Sequence, residues 1–163
     1  VILTTAQKQT VKAAILADGT ASTKASGPGT DYAWITDWLN TLSTFIVWRT
    51  SVNLDEIQSD AAFDWTRVDN LSVGKGRIWE WMFTNSQRTI NPSQANVRAG
   101  VSACWVGTAQ DLAVQAAVFV HCKRAATLAE KILSTGTGTT GTPGFLTAEG
   151  TVGIFEIGDI LAS

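Results

Sequence analysis

The chain has 163 residues, 16% of them charged and 45% apolar, with a formal net charge of −2. That length fits one domain with a real core, and that charge argues against a dedicated nucleic-acid binder while leaving room for a local basic patch. No apolar run reaches the roughly 18–20 residues needed to cross a bilayer, so no membrane partner is expected; the opening VILTTAQKQTVK also lacks the basic-then-apolar order of a signal peptide.

The low charge is joined by 22 threonines. Such a surface resists association poorly, so much of it is expected to be covered by partners, copies of the same chain among them. The pattern predicts a mainly α protein: a compact helical domain, residues 1–163, with a few short strands or extended arms.

Thr4 or Thr5 caps a first helix running through Ala17, with Val11, Ile15 and Leu16 inward and Asp18-Gly19 ending it. Residues 20–30, small and polar around Gly-Pro-Gly, read as a flexible loop. Asp31 opens a helix whose spacing brings Trp34 near Trp38. Phe45–Trp48 is a strand, or an arm laid on another subunit, ending at Arg49. Asn53 caps LDEIQSDAAF with Glu56 at N3, and Leu54, Ile57 and Phe63 are its apolar positions. Trp65, Val68 and Leu71 lead to a helix clearest in RIWEWMFTNSQR, its start weakened by Gly74 and Gly76.

Asn91-Pro92 has the chemistry of a helix start, followed by Val97, Val101, Cys104 and Trp105 at helical spacing. Gly107-Thr108 breaks the pattern into two packed helices. The second takes the apolar run from Leu112 to Cys122, with a strand over Val114–Val120 as the rival reading because β-branched residues gather there. Thr127 and Glu130 form a capping box for a short helix. Residues 134–144 are a flexible, turn-rich loop. Residues 145–163 form a docking segment, with a short strand over 145–151 and an amphipathic helix from Ile154, Gly158 being a point for a kink.

The search for chemistry centres on the single histidine, His121. Adjacent helix positions point about 100° apart, so His121 and Cys122 do not face each other. Cys104 approaches His121 only if the two helices pack antiparallel, which makes a small Cys104/His121 hydrolase the enzyme alternative to a non-enzymatic reading. Cys104 and Cys122 read as buried free thiols, with a disulfide or metal pair as the alternative. Three soft or imidazole side chains fall short of zinc's four, so neither metal nor cofactor is expected. The carboxylate pairs Asp55/Glu56, Asp60/Asp64 and Glu156/Asp159 read as solvated or subunit-facing, the last two on shared helix faces. GTGTTGTPG lacks the G-K-[ST] of a phosphate loop. Arg88, Arg98, Lys123, Arg124 and Lys131 are either ordinary surface and interfacial ion pairs or a face toward an acidic partner or DNA in a channel. The tryptophans read as core or subunit contacts, with a base-stacking platform as the alternative.

Three stretches carry a resemblance: FIVWRTSVNLDEI (Phe45–Ile57), NVRAGVSACW (Asn96–Trp105) and KRAATLAEKILSTGTGTTGTPGFLTAEGTV (Lys123–Val152). They resemble a group of small virion proteins of tailed bacteriophages. In that group Asn-Val-Arg-Ala-Gly, here Asn96–Gly100, precedes a pattern matched by Lys123, Arg124, Ala126, Thr127, Glu130, Lys131, Gly136, Thr137, Gly138, Glu149 and Gly150. The resemblance spans roughly residues 31–161. It implies a structural component of the neck or head–tail connector, located in the virion and assembled in the host cytoplasm. Its expected partners are the portal ring, tail proteins and further copies of itself, with a tail or capsid-decoration protein as the alternative. It carries over no catalytic residue. The expected interface residues are Phe45, Trp48, Arg49, Arg98, Lys123, Arg124, Thr137 and Phe155.

Overall fold

The computed structural model describes residues 1–163. The chain is mainly helical, as expected. In order it forms α1 (Thr5–Ala17), α2 (Gly19–Ala25), α3 (Tyr32–Asn40), β1 (Leu42–Trp48), β2 (Val52–Asn53), α4 (Leu54–Gln58) and α5 (Thr66–Asp69). There follow α6 (Val73–Met82), β3 (Thr89–Ile90), α7 (Ala95–Cys104), α8 (Ala109–His121), β4 (Lys123–Thr127), α9 (Leu128–Leu133) and α10 (Ile154–Ala162). β1 neighbours β4 in one two-stranded sheet, and β2 pairs antiparallel with β3 in another, Val52 opposite Ile90. No helix is long and apolar enough to cross a membrane.

The buried residues gather in two clusters, and the chain divides into two compact units. The first is built from residues Val1–Val47 and Ala125–Ser163. Its core joins Val11 and Ile15 of α1, Ile35 and Leu39 of α3, Leu133 of α9, and Ile157 and Ile160 of α10. Each such aliphatic side chain contributes about 1.5–3 kcal/mol on full burial. Thr4 caps α1 as its sequence position suggests, in a reciprocal box with Gln7. Leu16 is half exposed, because Val11 and Ile15 already occupy the inward stripe and Leu16 lies a position further round.

The loop expected over 20–30 is half helix. Asp18 ends α1 and its carboxylate accepts from the amides of Thr20 and Ala21 at 3.1 and 2.9 Å, which starts α2 at once. The expected flexible loop 134–144 is likewise tied down. Ile46 donates its amide to Gly138 O and accepts at its carbonyl from Gly144 N–H, both at 2.8 Å, so the loop lies along β1. The strand expected over 145–151 shrinks to one antiparallel bridge between Thr135 and Phe145. α10 runs unbroken through Gly158 and packs on α1 and α3.

The second unit, Trp48–Arg124, is built around aromatic rings. Trp79 meets Phe83, Trp105 and Phe63 at ring-centre distances of 5.0, 5.2 and 6.1 Å. Asn53 caps α4, which ends at Gln58, short of the expected run to Phe63, and Glu56 turns to Arg49 instead of closing a capping box. α6 ends at Met82, short of the expected RIWEWMFTNSQR. α7 starts at Ala95 rather than at Asn91: the Asn91 side chain accepts from the amide and hydroxyl of Ser93, at 3.0 and 2.6 Å, and makes a turn there. The break at Gly107-Thr108 is present, and the apolar run beyond it is helix α8, not strand. Thr108 and Asp111 box its start, and Arg67 of α5 grips Asp111 through Nε and Nη2 at 3.0 and 2.7 Å. Both bonds fall on Oδ1, and with the Thr108 hydrogen bonds they hold the Asp111 carboxyl below its usual range.

The loop's grip on β1 depends on bare backbone. A Cβ at Gly138 would lie 2.0 Å from the Phe45 ring, and φ there is +66°. Gly138→Ala is therefore expected to lower unfolding free energy by roughly 1–3 kcal/mol. Gly141→Ala, where a Cβ meets nothing within 4 Å, should be neutral. Urea unfolding of the two variants measures the contrast.

Candidate functional site

His121 is the last residue of α8, and its ring lies in a cluster of four charged or titratable side chains. Nε2 is 2.7 Å from Asp60 Oδ2, and Nδ1 is 3.7 Å from Glu56 Oε1. Arg49 donates from Nη1 to the same Glu56 oxygen and, at 3.1 Å, to the backbone carbonyl of His121. One guanidinium thus satisfies a terminal carbonyl of α8 and neutralises the carboxylate beside it. The Arg49 hydrogen bond holds Glu56 below its usual pKa, with His121 contributing. Asp60 is lowered first by the Ala62 amide and then by His121.

Both imidazole nitrogens face carboxylates, so neither is directed at a nucleophile. Cys104 has a different partner: its thiol contacts the Lys75 carbonyl at 3.4 Å, and burial pushes it up to about 11. Burial pushes Cys122 up to about 12. Both thiols are fully buried, free and protonated at neutral pH. The structure does not bring Cys104 and His121 together. Asp60 and Asp64 both lie outside helices, so the shared helix face expected for them does not exist.

The expected interface residues fall into separate places. Arg98 lies over the Trp48 ring at 4.9 Å and Lys123 at 5.2 Å, with Phe119 edge-on at 5.8 Å. Arg98 Nη1 also donates to the Pro92 and Ser93 carbonyls at 2.7 and 2.8 Å, so it clamps the turn before α7. Arg49 belongs to the histidine cluster, and Arg124 sits half-buried in β4. In the first unit, Phe45 and Thr137 line one open hollow of about 410 Å³ with Thr44, Thr139, Thr140 and Lys131. Phe155 stands elsewhere on that unit, 92% exposed. Beside it a second hollow of about 410 Å³ is lined by Tyr32, Ile154, Phe155 and Gly158.

Several residues of the stretches Asn96–Gly100 and Lys123–Gly150 have demanding internal tasks. Glu130 Oε2 accepts from the Thr127 amide at 2.9 Å and Oε1 from the Gly150 amide at 3.0 Å. Gly150 has φ +114°, and a Cβ at Gly100 would come within 3.1 Å of Met82 Sδ. Sequence reading finds the Thr127–Glu130 box because it is local. The Asp60–His121 and Glu56–His121 pairs leave no spacing signal, since long stretches of chain separate their members. Comparison with protein-family profiles, curated proteins and solved structures finds no match to this chain.

The histidine cluster makes stability depend on acid. A carboxylate whose folded pKa is depressed adds stability above its unfolded pKa and loses it as pH falls through the folded value. With Glu56 and Asp60 both depressed from 4.5 and 3.8, melting temperature should hold at neutral pH and fall below about pH 4.5. Asp60→Asn should lower it at pH 7, and the gap to the parent should narrow as pH falls below about 3.8, as read by differential scanning fluorimetry across pH.

Proposed function

We propose that this chain is a structural subunit of a tailed-phage virion, a connector or adaptor ring protein that joins the portal to the tail through repeated subunit contacts. The observation that carries this reading is an apolar surface made where a free-standing protein has little use for one. Phe155 is 92% exposed on α10, with Ile154 and Tyr32 also exposed around the hollow beside it, in a chain only 16% charged. Support comes also from the phage-like pattern over Asn96–Gly100 and Lys123–Gly150. The hollow at Phe45 and Thr137 is a second surface suited to a neighbour. Portal and tail proteins and further copies of the chain are its partners.

Electron-microscopy reconstruction of intact particles that carry this chain tests the assignment. The expected result is a ring of its density at the head–tail junction. Density on the capsid shell or along the tail would move the subunit to another virion layer. A chain missing from purified particles would overturn the reading altogether.

A further inference from the structure

The second unit has a hollow of its own, about 290 Å³ in volume, enclosed by α4, α5, α6 and the turn before β3. Trp79 and Phe83 line it although they are only 4% and 6% exposed, so the hollow opens onto the aromatic core. The two rings meet at 5.0 Å and 64°, which sets two aromatic surfaces at an angle to each other. Two charged side chains, Arg88 and Glu80, also line it, and they differ in how they are engaged. Arg88 is committed: Nη1 donates to Asp55 Oδ1 at 3.0 Å. Its backbone has φ +51°, the one positive value outside glycine, and is pinned on both sides. The Arg88 amide donates to Asn85 O and its carbonyl accepts from Leu54 N–H, each at 2.9 Å. Such a conformation persists only where its surroundings hold it, and here they deliver the guanidinium to Asp55. Glu80, exposed on α6, is left with no hydrogen bond or ion pair through its carboxylate.

We propose that this hollow binds a small organic ammonium ion, with its apolar body against Trp79, Phe83 and Val68 and its charge beside Glu80. Aromatic surfaces attract a cation through the negative face of the ring, and a carboxylate at the same opening adds a direct Coulomb attraction. With Arg88 neutralised by Asp55, the hollow carries one net negative charge, which favours a cation over a carboxylate or a phosphate. The side-chain amide of Gln58 also lines it and makes no hydrogen bond within the protein, so its oxygen can accept from an ammonium N–H. The volume lies just under the roughly 300–1,000 Å³ of ordinary ligand pockets, which sets the ligand's size at about one ring. A few polar groups around an apolar floor are the usual composition of such sites. The inference goes beyond the connector reading and does not rest on it.

Heteronuclear NMR titration of the full chain with benzylammonium chloride at low salt is the test, with the dispersion of the amide spectrum as the check on folding. The parent should show saturable shifts confined to residues around the hollow, the Trp79 indole N–H among them, with a Kd on the order of 1 mM. Glu80→Gln keeps the shape and removes the charge, and should weaken binding about 5-fold with an unchanged spectrum elsewhere. Benzyl alcohol, a neutral ligand of nearly the same shape, should bind the parent at least about 5-fold more weakly than benzylammonium. Asp37→Asn removes an exposed carboxylate on α3, in the other unit, and should leave the Kd as it was. Shifts that grow without saturating, or a Glu80→Gln variant that binds like the parent, would overturn the inference. So would benzyl alcohol binding as well as the cation, or Asp37→Asn costing as much as Glu80→Gln. The virion reading fails separately, on the density of intact particles, whatever the titration shows.

Discussion

The first unit depends on one buried carboxylate. Glu130 is 3% exposed, and a charge so placed is costly unless its oxygens are satisfied. They are: one closes the capping box at Thr127, the other holds the Gly150 amide. The two bonds link the start of α9, which supplies Ala129 and Leu133 to the core, to the segment leading into α10. Removing the side chain would free the helix start and the approach to the C-terminal helix together. The second unit uses the same device at Asp111, which boxes α8 and receives Arg67. In both units a polar residue at N3 does a local task with one oxygen and a long-range task with the other.

The stretches Asn96–Gly100 and Lys123–Gly150 gain a physical content from this. Arg98 clamps two carbonyls and covers Trp48; Gly100 makes room for Met82; Thr127 and Glu130 cap; Gly138 admits the Phe45 ring; Gly150 takes a positive φ and donates to Glu130. The glycines are constrained by space or by positive φ, and Arg98, Thr127 and Glu130 by the hydrogen bonds of their side chains. The surfaces that suit neighbours lie mostly beside them, on the outer side of α10 and along the Thr-lined hollow at Phe45. Residues with internal tasks bear on how the chain folds, and the outward chemistry has to be read separately.

What could be read from the sequence divides along the same line. Thr4, Asp31, Asn53 and Thr127 all cap where their positions indicate, since a cap is an interaction over two or three residues. The stacking of Trp34 on Trp38 at 6.2 Å follows from an i, i+4 spacing. Asp18 misleads because one residue closes α1 through its backbone N–H to Ala14 O and opens α2 through its side chain, a double role that composition does not show. Asn91 misleads because a residue that favours N-caps favours turns for the same hydrogen-bonding reason. The neighbours of His121 come from Asp60 and Glu56, far back in the chain, and no periodicity connects them. The division into two cores is equally hidden, because apolar spacing reveals which side of a helix is inward but not which centre it faces.

That division fixes an order of events during synthesis. The second unit is one continuous stretch, Trp48–Arg124, whereas the first joins the opening Val1–Val47 to the closing Ala125–Ser163. As the chain leaves the ribosome, the later-starting unit has all its residues first, while α1 and α3 wait for α9 and α10 with Val11, Ile15, Ile35 and Leu39 uncovered. The longest wait falls on the residues that pack against α10, and the loop that must close over them spans the whole second unit. Folding that unit early shortens the effective span, because an ordered insert brings its two ends to a set separation in place of a long free coil.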